Sequence, residues 1–484
     1  MGAPARGGSL LLPRRIRAGA QGEGRAHQAR PRALRALRRV ALVHPRARAT
    51  PRPAALRRVG RRVAARAAGC LGRRVKVAFL VNDLQLSGGI GVVVRHARGL
   101  ATHHDVDVSL VLVRDWDLPH WSGYDDLPHL HVISLEEARD QRFDVAVATW
   151  WETTFSLFTV PAKRYAYFVQ SLEDRFYEHD QAERVVAGLT LDLPVAFITE
   201  ARWIQRTLAE LRPDSACHLV RNGIDKDVFA SPDSLEPNVA DPLRILIEGD
   251  PTVWFKGVKD AALAAAAVSE PRRVTVVTGQ PEALGADVDH VVTHVPHREM
   301  AALYADTDVV LKLSRVEGMF GPPLEGFHMG ATCVTTEVTG NDEYIEHGRN
   351  ALLVDWDDRT GTTRQLELLA RDRRLLHELR CNALATAHGW PGWDQSTQFM
   401  ALALRRIAAS RQPDATRAAA AMMADLRGGM EQYSVHLQER LEFAREAAKL
   451  EKVKSLPGVA QANRARQTRF GRLAERLMRR LMGR

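Results

Sequence analysis

Two carboxylates, Glu317 and Glu325, lie at the ends of the segment EGMFGPPLE, whose glycines and prolines prevent it from forming one continuous helix. The surrounding sequence, DVVLKLSRVEGMFGPPLEGFHMGATCVTT, predicts a strand, a loop, a helix and a second strand. Glu317 is therefore expected in the loop and Glu325 in the helix. Two acids on one such unit do not flank a bond from opposite sides, as a glycosidase requires. They suit a sugar-nucleotide site, where carboxylates accept hydrogen bonds from hydroxyl groups and the intervening N–H groups cradle a diphosphate.

Two other segments have residue types that suit a phosphate. The glycine-rich segment LSGGIG, Leu86 to Gly91, follows one predicted strand and opens a helix, so its N–H groups and the helix dipole favour an anion. The same glycines would also permit a close strand-to-helix turn without any ligand. Lys256, in the segment FKG before another helix, can meet a phosphate as a point charge or remain solvated.

From Val75 onward the sequence is typical of an α/β protein, because short apolar runs alternate with helical segments. The predicted strands of the first half are VKVAFLV, DVSLVLV, DVAVAT, YAYFV and VAFIT. Those of the second half are LRILIEG, RVTVVTG, HVVTHV, DVVLKL and TCVTT. This order predicts two Rossmann-like, doubly wound domains joined by the proline-rich segment Ser231 to Pro242. Ligands of such sheets bind in the cleft between the halves.

Charge is unevenly distributed along the chain of 484 residues, whose formal net charge is +10. Residues 1–74 contain twenty Arg and one acid, and residues 449–484 contain eleven Lys or Arg and two acids. These ends carry +19 and +9, which leaves −18 for the residues between them. The predicted folded part is acidic and lacks the basic stripe with interleaved aromatic residues that single-strand binders use, so no nucleic-acid partner is expected.

Cysteine usage and hydropathy indicate a compartment. The four cysteines are scattered without a C-x-x-C or Cys/His metal spacing, which fits a reduced cytoplasm. No apolar run of 18 residues occurs, and the positive N-terminus has no apolar region behind it. The predicted location is the cytoplasm, with peripheral attachment to the inner face of the plasma membrane as an option for the basic tail.

Both ends of the chain differ in composition from the middle. Residues 1–74 are predicted to be disordered; translation upstream of a true start at Val75 is favoured over a transit peptide or a nucleic-acid-binding arm. Residues 413–484 predict a helical extension. Within residues 459–484, an apolar stripe opposite arginines suits a helix on an anionic membrane, while a solvated helix or an oligomer contact is the alternative.

Several motifs occur in one characteristic order over about residues 75–409. Glu317 and Glu325 have seven residues between them, and VTGNDEYIEHGRNALLVDWDD follows. Upstream come LSGGIGVVVRHARGLA, ITEARWIQRTL and LVRNGIDKDVF, and downstream GWPGWDQSTQFMALALRRI. In these motifs the chain resembles the family 4 retaining glycosyltransferases, which have the two-domain GT-B fold and a final helix that crosses back to the N-terminal domain.

The resemblance implies an acceptor domain over residues 75–235, a nucleotide-sugar donor domain over 236–390 and a crossover helix over 391–412, while the basic extension over 413–484 is predicted from its own composition. It implies retaining, metal-independent transfer of a sugar, of the hexosyltransferase type, from a nucleotide-diphosphate donor to a glycan or lipid-linked acceptor. Cell-surface polysaccharide synthesis is the expected context. No cofactor and no metal are expected, since the nucleotide sugar is the substrate.

The resemblance also implies a role for each matching residue. Glu317 would contact the donor sugar and Lys256 would neutralise the diphosphate, which makes these two the expected catalytic residues. Glu325 would hold the ribose. The remaining donor contacts and the phosphate and acceptor side are expected at glycine-rich or polar positions: Gly249, Gly318, Met319, Phe320 and Gly321 for the donor; Gly88, Gly89, Gln170 and Asn222 for the other side.

Two departures from the family pattern leave alternatives open. Asp250 follows Gly249 where the family usually has an Arg, and Gln170 stands where many members have a His. A degenerate, non-enzymatic scaffold is therefore one alternative. A metal-dependent transferase is another, since the sequence contains four D-x-D pairs: Asp105/Asp107, Asp115/Asp117, Asp287/Asp289 and Asp355/Asp357.

Overall fold

The computed structural model describes residues 74–85, 87–114, 129–237, 242–293, 295–411 and 416–455. The Arg-rich segment predicted over residues 1–74 lies outside these ranges except for its last residue, and the basic stripe predicted in residues 459–484 lies wholly outside them. The described part contains two parallel sheets with helices around them, which confirms the predicted fold class.

The first sheet has seven parallel strands in the order β3-β2-β1-β4-β5-β6-β7. These strands are β1 Val75–Val81, β2 Val106–Leu112, β3 His131–Ser134, β4 Phe143–Ala148, β5 Ala162–Val169, β6 Ala196–Thr199 and β7 Cys217–Leu219. Their apolar runs are explained by helices on both faces of the sheet, which bury side chains on both sides of each strand. The strand order reverses between β1 and β4, so the turn after β1 opens at the ligand-binding crevice of the sheet.

Five helices follow strands of the first domain: α1 Gly88–His103, α2 Leu135–Arg139, α3 Thr154–Leu157, α4 Ala182–Leu189 and α5 Arg202–Leu211. Short 3-10 turns lie at Trp151–Thr153, Glu173–Phe176 and Thr190–Asp192. α1 begins directly after Ser87, whose Oγ accepts a hydrogen bond from the Ile90 N–H at 3.3 Å. This cap satisfies one of the free N–H groups of the first turn and lets Gly88 and Gly89 begin a helix.

The second sheet has six parallel strands in the order β10-β9-β8-β11-β12-β13. They are β8 Leu243–Glu248, β9 Arg272–Val277, β10 His290–Val292, β11 Val309–Lys312, β12 Thr332–Thr336 and β13 Ala351–Val354. Its helices are α6 Val258–Ala266, α7 Met300–Ala305, α8 Gly321–His328, α9 Arg359–Arg371 and α10 Arg373–His388. Its 3-10 turns are Trp254–Lys256, Pro281–Ala283, His297–Glu299 and Asn341–Glu343.

The last two described helices return to the first domain. α11, Trp393–Ala409, packs on α1 and contributes Met400, Leu404 and Ile407 to the core on one face of the first sheet. α12, Thr416–Ser455, begins beside α3 and α4 and buries Met423 in the core on the opposite face. None of the helices in the described ranges is both long and apolar enough to cross a bilayer.

Three strands were absent from the sequence prediction, namely β3, β7 and β13. Each is three or four residues long and lies at an edge of its sheet. A run this short has no periodicity to recognise, and its strand conformation depends on hydrogen bonds to the neighbouring strand. The sequence prediction therefore located the central strands and one edge strand, β10, and missed the other three edge strands.

His96 on α1 is a histidine buried in the core without hydrogen-bond partners among the described residues. The side chain is fully buried, with its ring edge-on to Phe168 and Trp393 at centroid distances of 6.0 and 5.3 Å. Neither ring nitrogen has a hydrogen-bond partner among the described residues. Burial lowers the pKa of His96 to about 3, so the imidazole is neutral at pH 7.

We expect His96→Leu to stabilise the protein and to make it less sensitive to acid. Removing a buried polar group without partners recovers about 1–3 kcal/mol. An unfolded chain protonates this histidine below its ordinary pKa of 6.5 whereas the folded chain does not, so stability is lost as the pH falls from 6.5 towards 3. Urea unfolding at pH 7.5 and pH 5 measures both effects, with His103→Leu, an exposed histidine of the same helix, as the control. Equal acid sensitivity of His96→Leu and the wild type would contradict the expectation.

Candidate active site

The cleft is lined by turns that follow the central strands of both sheets. The 3-10 turn Trp254–Lys256 follows β8, and the loop with Glu317 follows β11, its neighbour in the second sheet. Opposite them lie the glycine turn after β1 and the segment after β5, which contains Gln170. Carboxyl ends of adjacent parallel strands meet at one edge, which explains why residues distant in sequence gather here.

Lys256 and Glu317 form an ion pair in this cleft. The Lys256 Nζ lies 3.0 and 3.2 Å from the two carboxylate oxygens of Glu317. Two features of the backbone bring them together: the Arg315 N–H donates to the Phe255 carbonyl at 2.7 Å, and Gly257, with φ of +64°, packs directly against the Leu313 carbonyl. A Cβ at Gly257 would lie 2.1 Å from that oxygen, so the FKG segment requires a glycine at this position.

A second pair of charges lies next to the first. The Lys312 Nζ, on the last residue of β11, is 2.9 Å from the Glu248 carboxylate, on the last residue of β8. Although burial lowers the pKa of Lys312, Glu248 and Glu317 together raise it above its usual value, so the ammonium stays charged. The sequence analysis did not predict this pair. A signal was available, because each of two apolar runs ends in a charged residue, and neighbouring parallel strands place their last residues side by side.

Glu325, in α8, has partners different from those of Glu317. Its Oε1 lies 3.0 Å from the His297 Nε2, and the His297 Nδ1 lies 3.0 Å from the Arg95 Nη2. Arg95, on α1 of the first domain, also pairs with Asp225. A guanidinium only donates, so His297 Nδ1 must accept and Nε2 must carry the proton that is donated to Glu325. The series of side-chain contacts Asp225–Arg95–His297–Glu325 therefore connects the two domains.

The loop after Glu317 contacts the first domain directly. The Gly318 carbonyl accepts a hydrogen bond from the Trp203 Nε1 at 2.9 Å, and the Met319 N–H donates to the Glu200 Oε1 at 2.8 Å. The Met319 N–H, expected at the diphosphate, is thus bonded to the Glu200 carboxyl group in this structure. A Cβ at Gly318 would lie 1.8 Å from the Gln170 carbonyl oxygen. This glycine is required by the close approach of the two domains.

The other residues named from the sequence lie around this contact. The Gln170 side chain packs beside Gly89, and the Asn222 amide donates to Glu200 at 2.7 Å. Phe320 is fully buried, with its carbonyl bonded to the Tyr344 hydroxyl. At the two helix-opening glycines, Gly88 and Gly321, an added Cβ would point into open space.

Glu200 was quoted in a sequence motif but given no role, and its surroundings are unusual. The side chain is buried just before α5, and burial raises the pKa of its carboxyl to about 8 against the hydrogen bonds from Met319 and Asn222. A pKa of about 8 leaves the carboxyl mostly neutral at pH 7, and its buried oxygens still need hydrogen-bond partners. Sequence offers only a weak signal for it, namely an acid directly after the apolar strand β6.

Two aromatic residues at the end of β4 have different surroundings. Trp151 is a core residue, and its Nε1 donates to the Tyr177 hydroxyl at 3.0 Å. Trp150 stacks on Phe176 at 5.7 Å, and Phe176 stacks in turn on Phe255 of the second domain at 5.0 Å. Core packing therefore accounts for Trp151, while Trp150 belongs to an aromatic stack that extends from the first domain to Phe255 of the second.

In each D-x-D pair that the structure describes, one aspartate has a hydrogen-bond or ion-pair partner in the protein. Asp289 accepts from the Val274 N–H at 2.7 Å, Asp357 pairs with Arg315, and Asp105 pairs with Arg74 at 3.1 Å. The pair at Asp115 and Asp117 lies outside the described residues. Within the described ranges, no three His, Cys, Asp or Glu side chains are grouped so that they could hold a metal ion.

Residues 243–372, which contain Lys256, Glu317 and Glu325, match the family model for glycosyl transferases group 1. The chain carries a group 1 glycosyltransferase domain. Comparison of the sequence with curated proteins found no match. The family assignment of this glycosyltransferase therefore comes from its second domain, where the paired acids lie.

Solved structures show that this glycosyltransferase has the GT-B fold. Sucrose-phosphate synthase from Thermosynechococcus elongatus superposes with a TM-score of 0.56 at 16% identity, over 70% of this chain and 100% of that one. HepE from Anabaena, in complex with UDP and glucose, superposes with a TM-score of 0.56 at 15% identity, and the match covers 69% of this chain and 100% of HepE. A glycosyltransferase from Rickettsia africae superposes with a TM-score of 0.54 at 11% identity, and the match covers 70% of this chain and 100% of that one.

Proposed function

We propose that this glycosyltransferase moves a sugar from a nucleoside-diphosphate donor to a glycan or lipid-linked acceptor, with retention of configuration and without a metal. The observation that carries the proposal is the Lys256–Glu317 ion pair in the cleft of the domain that matches the family. Membership of family 4, a hexosyl group as the transferred sugar and a role in cell-surface polysaccharide synthesis are parts of the same proposal.

The pair supplies what the reaction needs. Cleavage at the anomeric carbon leaves a nucleoside diphosphate with additional negative charge, and a cation already placed in the cleft stabilises it. In this structure Lys256 is neutralised by Glu317. A bound diphosphate would compete for the ammonium and leave the Glu317 carboxylate to accept hydrogen bonds from the sugar. Lys312 adds a second positive charge next to the site, itself balanced by Glu248.

The absence of an arginine after Gly249 is the main argument against activity. Asp250 instead forms a local turn, in which its carboxylate accepts hydrogen bonds from the Thr252 N–H at 2.7 Å and from the Thr252 hydroxyl at 2.6 Å. Gly249 has φ of +134°, a conformation that glycine readily adopts. The donor phosphates would thus depend on Lys256 and on helix N-termini such as that of α1.

A donor screen tests the proposal. UDP-, GDP- and dTDP-sugars are incubated with the full chain, and nucleotide release and thermal stabilisation are measured. UDP-glucose is a sensible first donor, since HepE from Anabaena was crystallised with it. We expect slow hydrolysis and stabilisation with at least one donor. If no donor is hydrolysed and no donor stabilises the protein, the result favours a non-enzymatic scaffold.

Binding to anionic membranes and a cytoplasmic location remain proposals that rest on charge and composition. The basic stripe lies in residues 459–484, outside the described residues. A peripheral position would suit an enzyme whose acceptor is attached to a lipid, because about 1 kcal/mol of attraction accompanies each basic residue near an anionic surface.

We expect Glu325→Gln to weaken donor binding about tenfold, because a neutral amide keeps part of the ribose hydrogen bonding and loses its charge assistance. Titration calorimetry with the nucleotide found in the screen measures the change. Glu299→Gln removes an exposed carboxylate close to His297 and should leave the affinity unaltered. Equal affinity of Glu325→Gln and wild type would mean that the ribose is held elsewhere.

A further inference from the structure

One peptide group in the loop that follows Glu317 forms hydrogen bonds to the first domain through both its carbonyl and its N–H group. This peptide joins Gly318 to Met319, so its carbonyl is the acceptor for Trp203 and its N–H is the donor to Glu200. The carbonyl and N–H of a trans peptide point in opposite directions. The two side chains, three residues apart at the start of α5, therefore fix both the position and the orientation of the peptide plane.

The backbone of Glu317 itself is held in a similar way. Its carbonyl accepts from the Thr339 Oγ1 at 3.2 Å and, at the outer limit of a hydrogen bond, from the Ser171 Oγ at 3.5 Å. Thr339 in turn accepts from the Arg175 guanidinium of the first domain at 3.1 Å. Residues of the first domain thus contact the loop at two successive peptide groups, the first of which directly follows Glu317, the residue expected to act on the sugar.

The surroundings of Glu200 show that this contact excludes water. Its side chain is 5% exposed, and its second oxygen accepts from Asn222 of the same domain. Burial raises the pKa of the carboxyl to about 8, as expected for a group removed from solvent. A buried acid is costly in a domain core. One of the two hydrogen bonds of Glu200 is made to the other domain. The contact between the domains therefore accounts for the presence of an acidic side chain at this buried position.

We propose that Glu200 and Trp203 are positioning residues, which align Glu317 for transfer by holding the Gly318–Met319 peptide when the two domains are in contact. The inference rests on the proposed function. Neither residue touches the reacting groups; they act through the backbone of the loop. Donor binding depends mainly on the second domain, whereas transfer depends on both domains.

The experiment compares four variants in the full chain. Glu200→Ala removes the acceptor for the Met319 N–H, and Trp203→Phe keeps an aromatic ring but removes the indole donor. Glu200→Gln keeps an oxygen that can accept from Met319. Glu210→Ala, an exposed acid on α5, is the matched control. Transfer rate and nucleotide affinity are measured with the donor identified in the screen, and hydrogen exchange is measured on the peptide that contains Met319.

We expect kcat to fall at least about tenfold in Glu200→Ala and in Trp203→Phe, because a displaced catalytic group loses alignment. Nucleotide affinity should change less than about threefold, since the second domain retains its own contacts. Exchange at Met319 should accelerate in Glu200→Ala, and Glu200→Gln should restore most of the rate. A purely structural role would instead lower folding stability while kcat of the folded fraction stays normal.

Two results would overturn the inference. One is a normal kcat in both Glu200→Ala and Trp203→Phe while the wild type is active. The other is unchanged exchange at Met319 in Glu200→Ala, which would show that the contact does not hold the loop in solution. A wild type that turns over no donor contradicts the proposed function, and the exchange measurement alone then decides whether Glu200 holds the loop.

Discussion

Replacement of Glu317 by Gln is expected to lower kcat about 100-fold or more while the donor dissociation constant changes less than about threefold. The carboxylate is 8% exposed and paired with Lys256, so its charge acts in a site with little water. In the proposed reaction the anomeric carbon becomes positive only as the bond to the phosphate breaks. The lost charge therefore matters more in the transition state than in the bound donor.

Steady-state transfer and calorimetry with the nucleotide found in the screen separate these two quantities. Glu337→Gln is a suitable control, because Glu337 is an exposed acid that follows β12 in the same domain. Circular dichroism and thermal melting establish that each variant is folded. A folded Glu317→Gln variant with a normal rate would mean that the ion pair is structural and that the proposed mechanism is wrong.

Gly318→Ala is expected to reduce transfer about 100-fold, although the substitution adds one methyl group. The new Cβ would lie 1.8 Å from the Gln170 carbonyl oxygen and 2.9 Å from the Glu200 Oε1, and a backbone oxygen cannot move away cheaply. The clash is between the two domains, so each domain still folds. The domains must separate at this point, and a displacement of about 1 Å at a catalytic group is enough to cost two orders of magnitude.

Gly321→Ala is the matched control for this substitution. It adds the same methyl group three residues later, at the first position of α8, where apart from the adjoining residues and the helix's own backbone no atom lies within 4 Å of the new Cβ. Its transfer rate should stay near that of the wild type. Equal losses in the two variants would contradict the steric argument and would point to a general requirement for glycine in this loop.

The parts of the fold that were predicted correctly are those with strong local signals. Buried parallel strands such as β1 and β11 are mostly apolar, and the helices between them have clear spacing. Of the four edge strands, only β10 gave a signal that was recognised, and β3, β7 and β13 did not. The placement of Glu317 in a loop and of Glu325 in a helix followed from the glycines and prolines between them, and the structure has both.

Contacts between the domains could not be derived in this way. His297 and Arg95 are separated by about two hundred residues, and Glu200 and Met319 by more than one hundred. Nothing in either local sequence specifies the partner, because the pairing depends on how the two sheets face each other. The glycine at position 318 shows the same limit: a phosphate site and a close approach of two backbones both require glycine, and only the structure reveals the second reason.

The packing of α11 has a consequence for the order in which the chain can fold during synthesis. The core on one face of the first sheet contains Met400, Leu404 and Ile407, which leave the ribosome only after the whole second sheet. Until α11 is synthesised, the apolar side chains of α1, β1 and β4 that pack against it remain exposed to solvent. The first domain to be translated is therefore the last to close its core, and the second domain can be finished before it.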